Sequence, residues 1–217
     1  MPDKPLSRSA VEAAGLVAVL AATFASLGDI LLLHNGMLRA QGVATVDAQG
    51  LIAGHYLGVL CIPFYAVGYW LVSRGLRPSE GPARLVFLTG CYLGAVGAAI
   101  HGVTAVIIET GPVGIEASPV TVPHAVYLMP LWLVLFAVSI AASIAYALAV
   151  LGGRTAFPRW AAAFNPVLIV LTMIVASLPF PALAAYTVPA SANLAHILFF
   201  GFAAILLSRK GAGATAV

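Results

Sequence analysis

The side chains in this sequence that could carry chemistry are few, and they sit in unusual company. In "FASLGDILLLHNG", residues 24–36, Asp29 lies in an apolar run with Leu and Ile close on either side. An ionised carboxylate at the centre of a bilayer costs about 3 kcal/mol on insertion scales. By default such a residue marks a functional site, with a partner to be named. The partners available are histidines, because nearly all Lys and Arg residues fall elsewhere. His55, His101 and His196 each lie inside another apolar run, and His34 and His124 lie at the ends of two of them. Neutral imidazole and carboxylate are zinc ligands, and a catalytic zinc site keeps a further position for water. Three histidines on three helices, with Asp29 as ligand or general base, would meet that need. Metal-bound water, acidified to about pH 7, could then attack an ester or amide. Glu109 and Tyr127 are further catalytic candidates, and His124 and Asn193 stand with them around the mouth of such a pocket. There is no HExxH or HxxxH, so the site must be assembled by tertiary packing.

The elements that position these residues follow from composition. The chain has 217 residues, is 62% hydrophobic and only 8% charged, and has a mean hydropathy of +1.05. A soluble domain carries about 25% charged residues, so this chain cannot cover a water-facing surface. Apolar segments fall at about 11–34, 51–74, 84–108, 123–150, 159–178 and 189–208. About 20 residues at 1.5 Å each cross a hydrocarbon core of ~30 Å. Long runs without strand alternation pair their backbone amides within helices. The expectation is all-α: one domain, an integral bundle of six transmembrane helices. The basic start followed by an apolar stretch reads as a retained first helix, since that stretch is too long for a signal peptide. Thr121 and Pro123 open the fourth span, and Pro158 and Pro189 sit near the starts of the fifth and sixth.

Charge orients the spans. Lys4 and Arg8, then Arg74, Arg77 and Arg84, then Arg154 and Arg159, and finally Arg209 and Lys210 share one side; Arg39 alone is on the other. By the positive-inside rule both termini are cytoplasmic, in the inner (plasma) membrane. The net charge of +3 is thereby explained without nucleic acid. Cys61 and Cys91 lie in apolar runs without a CxxC and read as core thiols. "GHYLG" (Gly54, Gly58) and "GCYLG" (Gly90, Gly94) are G-x-x-x-G patterns, which let helices approach closely in lipid.

Orientation also sets depth. Asp29 lies about five residues, ~8 Å, below the outer boundary. His55 is one turn deep from the same side, His101 ~12 Å down and His196 ~10 Å down, with Asn193 on the face of His196. All five histidines therefore belong to the outer half or its rim, and His55, His101 and His196 are the expected partners of Asp29. The plain structural alternative is that each histidine joins helices by a hydrogen bond, that His34 and His124 meet headgroups, and that Tyr127, Trp132 and Tyr186 are interfacial aromatics.

The first functional reading is a metal-assisted, zinc-dependent hydrolase acting on a lipid or other apolar substrate. A second is a haem or redox protein, with His55 and His101 or His196 as axial ligands. A third is a proton-linked transporter using Asp29 and histidines as a relay, in which Pro63, Pro130 and Pro166 interrupt helices. A fourth is a membrane subunit held together by the cluster. An oligomer is compatible with all four.

The "SLGDILL" stretch resembles the Gly-Asp motif of the YhhN-type lysoplasmalogenases. With "IPFYAVGYWLVSRGL" it also resembles uncharacterised six-helix bacterial membrane families carrying "GDLLL" and "PxYxxGY" segments, over the first three helices. The lysoplasmalogenases have about eight spans and a second acidic motif, and this chain shows neither. The resemblance implies that Asp29, following Gly28, contributes to hydrolysis of a lipid linkage. A looser likeness is to the alkaline ceramidases and adiponectin receptors, membrane hydrolases with a three-histidine zinc site, whose HxxxH-type spacing is missing here.

Overall fold

Small residues face inward along the first helix and large ones face outward, the reverse of a soluble core. Ala18, Ala22 and Ala25 are fully buried, whereas Leu16, Leu20, Phe24 and Leu27 on the opposite faces are exposed. In lipid, association comes from close packing and not from hiding apolar groups from water, so small side chains belong at helix contacts. The computed structural model describes residues 6–40, 47–110 and 125–213. Within them the chain is all-helical: α1 (Arg8–Ala40), α2 (Ala48–Cys61), α3 (Tyr65–Leu76), α4 (Glu80–Thr110), α5 (Ala125–Leu151), α6 (Pro166–Ser177) and α7 (Pro181–Gly213).

Among the described residues five stretches are long and apolar enough to cross a membrane: Arg8–Gly36, Ala48–Leu76, Glu80–Glu109, Leu128–Leu151 and Ala190–Lys210. The second contains both α2 and α3, joined by a 3₁₀ turn at Ile62–Phe64 around Pro63. Proline supplies no N–H to the α-helical ladder, so the helix tightens there without reversing. Pro130 lies inside α5.

The fifth expected span, 159–178, differs. Residues Arg159–Ala163 form a separate 3₁₀ turn, and the helix proper is only Pro166–Ser177. Asn165 caps it, its side chain accepting from the Leu168 N–H at 3.2 Å, and Pro166 occupies the first turn, where its missing N–H costs nothing. Pro166 therefore starts a helix and does not interrupt one. Twelve residues extend only ~18 Å, short of a full hydrocarbon core. The sixth expected span, 189–208, matches the apolar stretch Ala190–Lys210, while the helix that carries it, α7, starts earlier, at Pro181, with Pro189 inside it.

α1 packs along α7 and α2, α4 packs along α3, α2 and α5, and α6 packs along α7. Glycines make these approaches close. A Cβ on Gly28 of α1 would lie 2.9 Å from the Gly54 carbonyl oxygen of α2, and one on Gly54 would lie 2.9 Å from the Gly28 oxygen. The junction of α3 and α4 and the segment after α5 meet at one end of the bundle, where the Ala156 N–H donates to the Gly75 carbonyl at 2.7 Å. That end carries Arg74, Arg77, Arg84, Arg154 and Arg159. The core behind it is aromatic, with Tyr146, Phe157, Phe199 and Phe200 all buried. Cys61 and Cys91 are free thiols, the latter exposed.

Candidate functional site

Asp29 comes from the α1 turn just beyond Gly28, so the helix crossing at Gly28 and Gly54 sets its position against α2. Its Oδ1 lies 2.8 Å from Nε2 of His101 on α4. The contact is off the axis of a ring N–H, and neither nitrogen of His101 has an aligned hydrogen bond. The His101 ring lies flat against Gly58 of α2, where any Cβ would overlap it. His101 is thus held between α2 and the carboxylate. Its side chain is 7% exposed and that of Asp29 is 19% exposed, so the carboxylate keeps the more open face.

The second carboxylate oxygen, Oδ2, accepts from the Asn193 amide of α7 at 2.7 Å. The orientation of that amide follows from its other neighbour. The Tyr65 hydroxyl donates to Asn193 Oδ1 at 2.6 Å, which turns Nδ2 toward Asp29. One helical turn along, the Tyr69 hydroxyl is 2.8 Å from Nε2 of His196, and His196 Nδ1 is 2.6 Å from the Ala192 carbonyl. A carbonyl only accepts, so Nδ1 carries the proton; in the neutral ring Nε2 is then the acceptor and the Tyr69 O–H the donor. Tyr69 is seated by Gly90 of α4, where a Cβ would overlap the ring. Tyr65 stacks on His196, with ring centres 4.7 Å apart at 34°. Both tyrosines are buried.

Asp29, His101, Asn193, His196 and Tyr65 line one wall of a cavity of about 180 Å³. The other walls are mainly apolar, including Ile100 and Leu93 of α4 and Trp132 and Leu135 of α5, with the Thr104 hydroxyl one turn beyond His101. A small set of polar groups converging in an apolar hollow is the usual form of a small-molecule site. The carboxylate, with two neighbours holding it, can accept a proton from a bound molecule or a water, or face a cation.

Not every expected residue is here. His55 lies outside the cavity lining: its ring is edge-on to Tyr56 at 4.9 Å and close to Gly102, and its Nδ1 is buried without a partner. His34 and Glu109 are exposed. His124 lies outside the described residues, as does the side chain of Tyr127, whose backbone is in α5. Among the described residues no three His, Cys, Asp or Glu side chains are grouped to hold a metal ion. Conversely, Tyr65 and Tyr69, the two tyrosines of the PxYxxGY segment, are not among the site residues expected from sequence. Their signal was there: they are four apart in "IPFYAVGYW" and so share a helix face, as Asn193 and His196 do three apart on α7.

Residues 1–210 match the model of a family described as a family of unknown function (DUF6796). No curated protein and no solved structure matches the chain. The chain belongs to the DUF6796 family.

Proposed function

We propose that this member of the family is a multi-pass inner-membrane protein that takes an amphipathic or lipid substrate into the cavity and hydrolyses it, with Asp29 as the acid–base group. The proposed frame has six spans, with α6 as the shortest, both termini cytoplasmic and the cavity in the outer half. The Lys and Arg distribution supports that orientation. One observation carries the chemistry: a carboxylate fixed by His101 and Asn193 that still opens into an apolar hollow. An apolar body fills the hollow, and the Asp29 carboxylate takes a proton from the attacking water and returns it to the leaving group as the scissile bond breaks, with His101 and Asn193 holding the carboxylate in place.

Zinc is the cofactor expected from sequence. Of the expected ligands only Asp29 and His101 lie side by side among the described residues, too few to hold a zinc ion, so no step is routed through a metal. His196 has both nitrogens engaged already, by Tyr69 and the Ala192 carbonyl, which also weighs against an axial haem role for it. Metal content and a visible spectrum of the purified protein test these two cofactors directly.

The test of the reaction is turnover of monoacylglycerol and vinyl-ether lysolipids by the protein in lipid nanodiscs. Asp29→Asn should lower the rate by about 10²–10⁴-fold, the range for loss of a general base. No turnover by the native protein, or full turnover by the variant, rejects hydrolysis. A proton-linked carrier is the second reading, favoured by the interruption at Ile62–Phe64, because Ile62 itself lines the cavity. Substrate-dependent acidification inside proteoliposomes, abolished by Asp29→Asn, would establish it.

A further inference from the structure

The sign of charge in the cavity narrows what can enter it. Among the described residues, its lining includes the carboxylate of Asp29 and no Lys or Arg, and the basic side chains there are the imidazoles of His101 and His196. A phosphate, sulfate or carboxylate headgroup would therefore meet a like charge in a low-dielectric wall, without the guanidinium or ammonium that such groups require. The aromatic rings point the same way. Trp132 of α5 and Tyr65 of α3 both line the cavity, and Trp132 is held by stacking on Phe136, ring centres 5.4 Å apart at 25°. A carboxylate together with indole and phenol rings is the chemistry that holds an ammonium group, by charge and by the ring faces.

Packing gives the route. α5 runs along α4 and, toward the arginine-rich end, against the Arg159–Ala163 turn, while α7 runs along α1 and α6. Near that end Tyr146 of α5 and Phe199 of α7 close the two helices edge to face, ring centres 5.3 Å apart. Further along, the cavity lies between them, with Trp132 and Leu135 on one side and Ala192, Asn193 and His196 on the other. α6 contacts both helices, and an apolar tail leaving the cavity between α5 and α7 would pass beside it toward lipid.

We infer that the ligand of this cavity is a cationic amphiphile, an ammonium or quaternary ammonium group on an apolar chain, entering from the bilayer between α5 and α7. The inference rests on the reading of the cavity as the substrate site. The ammonium rests on the Trp132 side, and Asp29 supplies the opposing charge.

Equilibrium dialysis in nanodiscs of uncharged lipid tests this, with octyltrimethylammonium, octanol and octyl sulfate as probes and empty discs as the blank. The cation should bind about tenfold tighter than octanol, corresponding to a cation–π and charge contribution of ordinary size, and octyl sulfate should bind weakest. Asp29→Asn and, separately, Trp132→Leu should each remove most of the preference for the cation and leave octanol binding in place. Equal binding of the three probes, binding of none, or a preference that survives both substitutions overturns the inference. A variant that fails to bind octanol is checked by its melting temperature, and Trp132→Phe, which keeps a ring of weaker cation affinity, then has to show an intermediate preference. Hydrolysis without cation preference leaves the proposed reaction standing and removes the ligand class. Cation preference without hydrolysis does the opposite.

Discussion

The two ends of the bundle are built from the same helices and differ in what fills them. Toward the arginine-rich end, Tyr146, Phe199 and Val86 close around a residual hollow of only about 10 Å³. Toward the Asp29 end, α1, α3, α4, α5 and α7 surround about 180 Å³. Tyr69 stands at the boundary, lining the small hollow while its hydroxyl reaches His196 in the large one. Aromatic bulk makes one end a solid plug. At the other end, short polar side chains hold each other across the gap, and space remains. Tight packing and open space are thereby separated along the helix axes.

Substitutions can break that separation. The largest loss of stability is expected from Phe199→Ala, about 3–5 kcal/mol for truncating a buried aromatic, read as a melting temperature lowered by roughly 10 °C in nanodiscs. Ligand binding in the large cavity should survive at a temperature where the variant is folded. Gly58→Ala comes next, at about 1–3 kcal/mol for overpacking, because the new methyl displaces His101. Unlike Phe199→Ala, it should also impair function. Tyr146→Phe should cost about 1 kcal/mol, since its hydroxyl makes one long hydrogen bond to the Ala161 carbonyl at 3.3 Å. Smallest is Asp29→Asn, expected within about 0.5 kcal/mol of the native protein: it keeps an acceptor for Asn193 and removes a buried charge. A large destabilisation by Asp29→Asn, or a loss of function in Phe199→Ala at low temperature, would mean that the two ends are not independent.

Level along the helix bundle was legible in the sequence, and azimuth was not. A rise of 1.5 Å per residue and the charge bias put Asp29, His101, Asn193 and His196 at similar levels. The structure brings Asp29 against His101 and Asn193, and puts His196 in the same cavity on different partners. Rotation about the helix axis depends on which face packs, and α2 turns Gly54 and Gly58 toward its neighbours and leaves His55 to one side. The G-x-x-x-G patterns held that information: Gly54, Gly58, Gly90 and Gly94 each meet another helix or its connecting turn. The fifth span, 159–178, is shorter as a helix than hydropathy indicated because a proline inside an apolar stretch can start a helix. Pro166 starts α6 because Asn165 caps it, and local hydropathy is blind to that cap.

The small-in, large-out pattern of α1 also governs how this sequence can drift. Inside, Ala18, Ala22 and Ala25 have no room to grow, so added volume is the dangerous change. Outside, Leu16, Leu20 and Leu27 are exposed and can exchange among aliphatic residues. A saturation mutagenesis map of α1 should therefore show intolerance at its alanines and permissiveness at its leucines, the inverse of the profile expected for a water-soluble helix.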